Sequence, residues 1–230
     1  MNTKALLFII LVVLMQGKSA VFAQATYRFG IMPSLNLNSA LKNNWSLNAK
    51  AESRQLLKSG TVNGETVNEY RYVLTDLSLI AAKKVGLNSR IAGGYLMRIE
   101  NGEISHRFIQ HFIIVQKFAA FRLAHRFMSD QTFSESEKPE IRVRYRISSE
   151  LPLNGESVDP GEFYVKVSNE YINSFQAKDY DLEIRLVPLL GYDITDNFKI
   201  ETGPDYRLNS FISSSPRHSY WMTLNIFIEI

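Results

Sequence analysis

The stretch Ile141-Arg142-Val143-Arg144-Tyr145-Arg146-Ile147 puts three arginines on one side of the chain and four apolar residues on the other. Only a period of two does this, because a helix would scatter the same residues around its axis. The segment therefore reads as a strand with one charged and one apolar face. The final residues repeat the pattern: Tyr220, Met222, Leu224, Ile226, Ile228 and Ile230 form an apolar face, with Trp221, Thr223, Asn225, Phe227 and Glu229 opposite. Likewise Trp45, Leu47, Ala49 and Ala51 alternate with Ser46, Asn48, Lys50 and Glu52.

Weaker copies run through 27–40, 69–82, 89–100, 104–116, 120–129, 162–175, 180–193 and 198–208. Turn formers separate them, among them Lys42-Asn43-Asn44, Asn63-Gly64, Asn101-Gly102-Glu103 and Thr195-Asp196-Asn197. Each segment is near the length a tilted membrane strand requires. The expected fold is all-β: an antiparallel up-and-down transmembrane β-barrel of about 10 to 12 strands. The segments number eleven, whereas single-chain bacterial barrels have an even number. Residues 27–40 are expected to be the misassigned segment, since Pro33 removes a ladder donor. If both termini face the periplasm, 209–219, 129–139 and 56–67 are external loops and 195–197, 117–119 and 41–44 short inner turns. Residues 152–161 are longer than that scheme expects.

The start of the chain reads differently. Lys4 precedes an apolar run from Ala5 to Met15, and Val21-Phe22-Ala23 has the small or branched residues of a cleavage site. This reads as a secretory signal peptide over 1–23, cleaved before Gln24 and leaving one β-barrel domain over 24–230. The run is too short to cross a bilayer as a helix, and none beyond Gln24 approaches that length, so a membrane location would require a barrel. Lys4 and Lys18 leave with the leader, which brings 26 basic and 23 acidic residues to within one charge of balance. That balance gives no electrostatic footprint for nucleic acid. The absence of cysteine excludes thiol chemistry and a lipid-modified cysteine.

Alternation alone does not say which face is wet, and a soluble periplasmic ligand-binding barrel of lipocalin type would turn the apolar face inward. The distribution of cations favours a membrane barrel. Lys42, Lys58, Lys83, Lys84, Lys117, Lys138, Lys178 and Lys199 lie in or beside turns, while Arg142, Arg144, Arg146, Arg185 and Arg207 lie within strands. Glu52, Glu170, Glu183, Glu201 and Asp205 supply matching carboxylates in other strands. These ten strand charges are expected to form a ladder filling a narrow lumen, as a plug rather than an open pore. Tyr27, Trp45, Tyr95, Tyr164, Tyr192, Tyr220 and Trp221 are expected to form interfacial girdles.

Catalysis has one candidate group, His125 with Ser129 and Asp130, which would make a lipid- or lipopolysaccharide-modifying enzyme the alternative function. Residues four apart on a strand lie about 13 Å from each other, too far for a direct hydrogen bond. His106, His111 and His218 have no better partners, and no catalytic residue, cofactor or metal site is expected. Asp179-x-Asp181 lacks the rest of a calcium loop.

From Arg142 onward the chain resembles the domain-of-unknown-function 2490 family of outer-membrane-type proteins. The resemblance rests on Arg142-x-Arg144-Tyr145-Arg146, Leu151-Pro152-Leu153, Asn169-Glu170-Tyr171, Arg185, Gly191-Tyr192 and Glu201-Thr202-Gly203, with echoes at His106-Arg107-Phe108 and His125-Arg126-Phe127. It implies a barrel in the envelope of a Gram-negative cell and no particular activity. The expected partners are outer-membrane lipid and the barrel-assembly machinery, with the barrel a monomer.

Overall fold

The computed structural model describes residues 25–118, 121–212 and 214–230. The proposed leader, 1–23, lies outside them. Eleven strands follow one another in the chain: β1 (Thr26–Ala40), β2 (Trp45–Thr61), β3 (Thr66–Lys84), β4 (Ser89–Glu100), β5 (Glu103–Lys117), β6 (Arg122–Ser134), β7 (Glu140–Pro152), β8 (Glu162–Gln176), β9 (Asp179–Thr195), β10 (Phe198–Asn209) and β11 (Arg217–Glu229). Each pairs with its sequence neighbour, and β1 pairs with β11 to close the barrel. There is no helix among the described residues.

Neighbouring strands run antiparallel, but eleven is odd, so the closing pair β1–β11 is parallel, from Thr26↔Arg217 to Asn38↔Glu229. The even-number expectation is thus corrected: residues 27–40 are a full strand of the wall. Pro33 falls where the ladder from β1 to β2 skips Met32 and Pro33, resuming at Ser34↔Glu52, and on its other side stands in register with Leu224 of β11. The odd count also places Thr26 and Ile230 at opposite ends of the barrel, against the expectation that both lie on one side.

The turns follow local chemistry. Asn43, Asn44, Asn63, Asn101 and Gly102 all take positive φ, between 52° and 82°, the region that tight hairpin connections require and that Asn and Gly enter most cheaply. The segregation of loops is weaker than expected. The end that holds Thr26 carries the connections after β2, β4, β6, β8 and β10, while the Ile230 end carries those after β1, β3, β5 and β9 and the long connection 153–161 after β7.

The faces divide cleanly. Ile141 and Val143 are 51% and 52% exposed on the outside, while Arg142 between them is 9% exposed and points inward. Outward positions around the wall carry Leu35, Leu79, Phe108, Phe127, Leu186 and Leu224, all exposed to a similar degree. The conventional core is small: Met32, Leu56, Val73, Leu74 and Trp221 pack inside one sector of the barrel.

Candidate functional site

Because every strand alternates, its inner side chains converge on the barrel axis, where they bound a cavity of about 560 Å³. Glu170 of β8 is almost fully buried and lies in register between Arg146 of β7 and Arg185 of β9. Its Oε1 accepts from Arg144 Nη2 at 2.9 Å and has Arg126 Nη2 at 3.4 Å. Its Oε2 accepts from Arg146 Nη2 at 2.8 Å and has Arg185 Nη1 at 3.8 Å. Four guanidiniums thus share one carboxylate.

Asp130 of β6 is 0% exposed and holds a second group. It accepts from Arg142 Nε at 2.7 Å and Arg144 Nη1 at 3.3 Å, and Arg107 Nε stands 3.5 Å away. Arg144 therefore bridges both acids. Glu140, nearer the rim, approaches Arg142 Nε at 3.8 Å.

Other pairs form along single strands, because residues two apart share a face. Arg207 clasps Asp205 through Nε at 2.9 Å and Nη2 at 2.8 Å. Glu52 is held by Lys50 at 2.7 Å and Arg54 at 2.8 Å, and Arg185 donates to Glu183. Between strands, Arg98 of β4 binds Asp76 of β3 with two contacts of 2.8 Å.

Glu201 of β10 is reached from β8, one strand beyond its neighbour: Lys166 Nζ donates at 2.8 Å and Tyr164 OH at 3.0 Å. The intervening residue explains how. Tyr164 lies opposite Gly191 of β9, where a Cβ would stand 2.1 Å from the Tyr164 ring. Only glycine lets the ring lie across β9 to reach Glu201.

All ten residues of the expected ladder, Glu52, Arg142, Arg144, Arg146, Glu170, Glu183, Arg185, Glu201, Asp205 and Arg207, lie on the inner face. Their pairing differs from the expectation that counter-charges sit in other strands, since Glu52, Glu183 and Asp205 take their closest cation from their own strand. Sequence reasoning missed Lys50, Arg54, Asp76, Arg98, Arg107, Arg126 and Lys166, and considered Asp130 only as a catalyst. Charge opposition at i and i+2 would have found Lys50 and Arg54; the others require the strand register.

Two expected girdle residues are corrected. Trp221 is 3% exposed inside the barrel, stacked against Gly30 of β1, and Tyr164 is the inner ligand of Glu201. Both follow from parity, because each falls on the polar face of its strand. The suspected catalytic group does not assemble. Asp130 points inward, Ser129 donates to Gln110 at 2.8 Å, and His125 Nδ1 pairs with Tyr145 OH at 2.9 Å. His106 and His218 make comparable stacked pairs with Tyr95 and Tyr206.

The geometry defines a class: a closed β-barrel with a charge-paired lumen and an apolar exterior. Residues 29–218 match the model of the family described as "Protein of unknown function (DUF2490)", and the chain belongs to that family. A search of curated proteins and a search of solved structures each return no match.

Proposed function

We propose that this protein is an outer-membrane β-barrel of a Gram-negative envelope, exported through a cleaved leader and set in lipid by the barrel-assembly machinery. Its work is non-enzymatic: a structural, adhesive or limited-transport role for a monomeric barrel with a narrow, charge-filled lumen. One observation carries this reading, the inversion of polarity between inner and outer faces. Ionised side chains are sequestered inside, while half-exposed Leu, Ile, Val and Phe cover the outside. Water is a poor solvent for a continuous apolar belt of that kind, since soluble monomers rarely expose apolar patches beyond a few hundred Å². Lipid is a good one, and a closed sheet leaves no backbone edge for lipid to meet.

Dimensions and anchors support the same reading. The shortest strands have 12 residues; at about 3.3 Å per residue and about 40° tilt they cover about 30 Å, enough for the hydrocarbon layer. Outer aromatic residues gather toward both ends, including Phe175 with Tyr180 at one and Phe163 with Tyr192 at the other, ring centroids 5.3 and 4.5 Å apart. Such girdles hold a barrel at its two interfaces. A soluble lipocalin-type barrel would need Ile141, Val143 and Tyr145 inside. A lipid-modifying enzyme would need His125 and Ser129 to meet an acid, and each is already engaged elsewhere.

The test is fractionation and heat-modifiable migration of the full-length protein expressed in a Gram-negative host. Recovery in the outer-membrane fraction, with an unboiled band that shifts on boiling, is the expected result. Recovery in the soluble periplasmic fraction would contradict it.

A further inference from the structure

The lumen is not evenly balanced. On β1–β4, β10 and β11 the cavity is lined by five cations, Arg28, Lys50, Arg54, Arg98 and Arg207, and five acids, Glu52, Asp76, Glu100, Glu201 and Asp205. On β5–β9 the cavity is lined by seven cations, Arg107, Arg126, Arg142, Arg144, Arg146, Lys166 and Arg185, and one acid, Glu183. The buried Asp130 and Glu170 bring the acids of that wall to three, and Glu140, nearer the rim, to four. Lys166 is further satisfied by Glu201 from β10, which leaves the surplus on the arginines of β6 and β7.

Donor counting gives the same result. A carboxylate accepts about four hydrogen bonds, whereas each guanidinium offers five donors in a planar fork. Glu170 alone is shared by four arginines. Arg126 and Arg146 stand directly opposite each other across the β6–β7 pair, a like-charge juxtaposition that the single carboxylate of Glu170, in contact with both and shared with Arg144 and Arg185, only partly offsets. The Nε atoms of both arginines are buried without a hydrogen-bond partner among the described residues. So is Nε2 of His111, whose side chain sits diagonal to Arg126 across the β5–β6 pair and lines the same cavity.

We infer that the Arg126–Arg146–His111 corner of the lumen is a binding site for a small soluble oxyanion, a phosphate or phosphate-monoester group, entering from the aqueous ends of the barrel. This rests on the outer-membrane reading for its access route and on the lumen geometry for its chemistry. Planar guanidinium forks match phosphate oxygens, and His111 adds a ring nitrogen. The cavity of about 560 Å³ is the size of a small-molecule site. The ligand is soluble because the outer, lipid-facing side of these strands carries Phe112, Phe127 and Val143 and no cation.

The experiment is equilibrium dialysis of the folded full-length protein in neutral detergent against radiolabelled inorganic phosphate, at constant ionic strength set with chloride. Saturable binding near one phosphate per chain is expected. Arg126→Gln should weaken it by about tenfold, the effect of losing one charge-assisted bond. Arg122→Gln removes the same charge from the same strand, at an exposed position paired with Glu150, and should leave binding unchanged. Unboiled electrophoretic migration verifies that each variant is folded, and Arg146→Gln repeats the measurement should Arg126→Gln fail to fold.

Glycerol phosphate should displace the label and phosphatidic acid micelles should not. Absence of saturable binding, equal losses in Arg126→Gln and Arg122→Gln, or displacement by phosphatidic acid alone would overturn the inference. Phosphate binding by a protein recovered from the soluble fraction would defeat the membrane reading and leave the site standing. A membrane-embedded barrel that binds no phosphate would do the reverse.

Discussion

At Asp130 three guanidiniums depend on one carboxylate that is completely buried. Removing one partner of a buried ion pair costs more than the pair contributes, since the remaining charge is left desolvated and unneutralised. Asp130→Asn is therefore expected to destabilise the folded barrel by about 3–5 kcal/mol, read as a lower urea midpoint for loss of the unboiled band. Combining Asp130→Asn with Arg142→Met should restore part of that loss; equal or greater destabilisation in the double variant would contradict the assignment. The sequence announced the arginines of β7 through their spacing, and it announced Glu183, Arg185, Asp205 and Arg207 as strand charges but not that they pair within one strand. It did not announce Asp130, whose role depends on lying opposite Arg142 in the β6–β7 register. Trp221 and Tyr164 were misplaced for a related reason: an aromatic residue near a strand end reads as a girdle, but strand parity sends these two inward onto Gly30 and Gly191.

The elements themselves were legible because alternation and turn chemistry are local. Asn43, Asn101 and Gly102 mark hairpins by their capacity for positive φ, and each connects the strands it was expected to connect. The closure was not legible, because it depends on which residues meet after the chain has gone once around. Pro33 argued against β1 as a strand, yet it falls where the β1–β2 ladder is interrupted. A direct consequence concerns the parallel seam. Ser34 and Asn225 are register partners across it, with Ser34 Oγ donating to Asn225 Oδ1 at 2.7 Å. The chain has no cysteine, so a Ser34→Cys and Asn225→Cys double variant should form a single disulfide under mild oxidation. The cross-link would appear as a mobility shift abolished by reductant. Failure of this pair, with efficient cross-linking between β2 and β11 instead, would mean that β1 is outside the wall.

For the molecule as a whole, the organising feature is where its ionised groups reside. A soluble domain hides its apolar side chains and displays its charges, and this barrel does the opposite over its full circumference. Lysine and arginine divide accordingly. Most lysines lie at the ends, as do Arg90, Arg122 and Arg217, while Arg54, Arg98, Arg107, Arg126, Arg142, Arg144, Arg146, Arg185 and Arg207 lie within strands and bind carboxylates through planar forks. Lys50 and Lys166 depart from that division, each reaching an inner glutamate. The central claim, that the apolar exterior faces lipid and the arginine face does not, is tested most directly by single cysteines placed in turn at positions 141 to 147 of β7 in outer membranes. Labelled with an environment-sensitive fluorophore, positions 141, 143, 145 and 147 should be quenched by a lipid-dissolved quencher, and positions 142, 144 and 146 should not. Uniform quenching, or quenching of all seven positions by a water-soluble quencher alone, would contradict the claim.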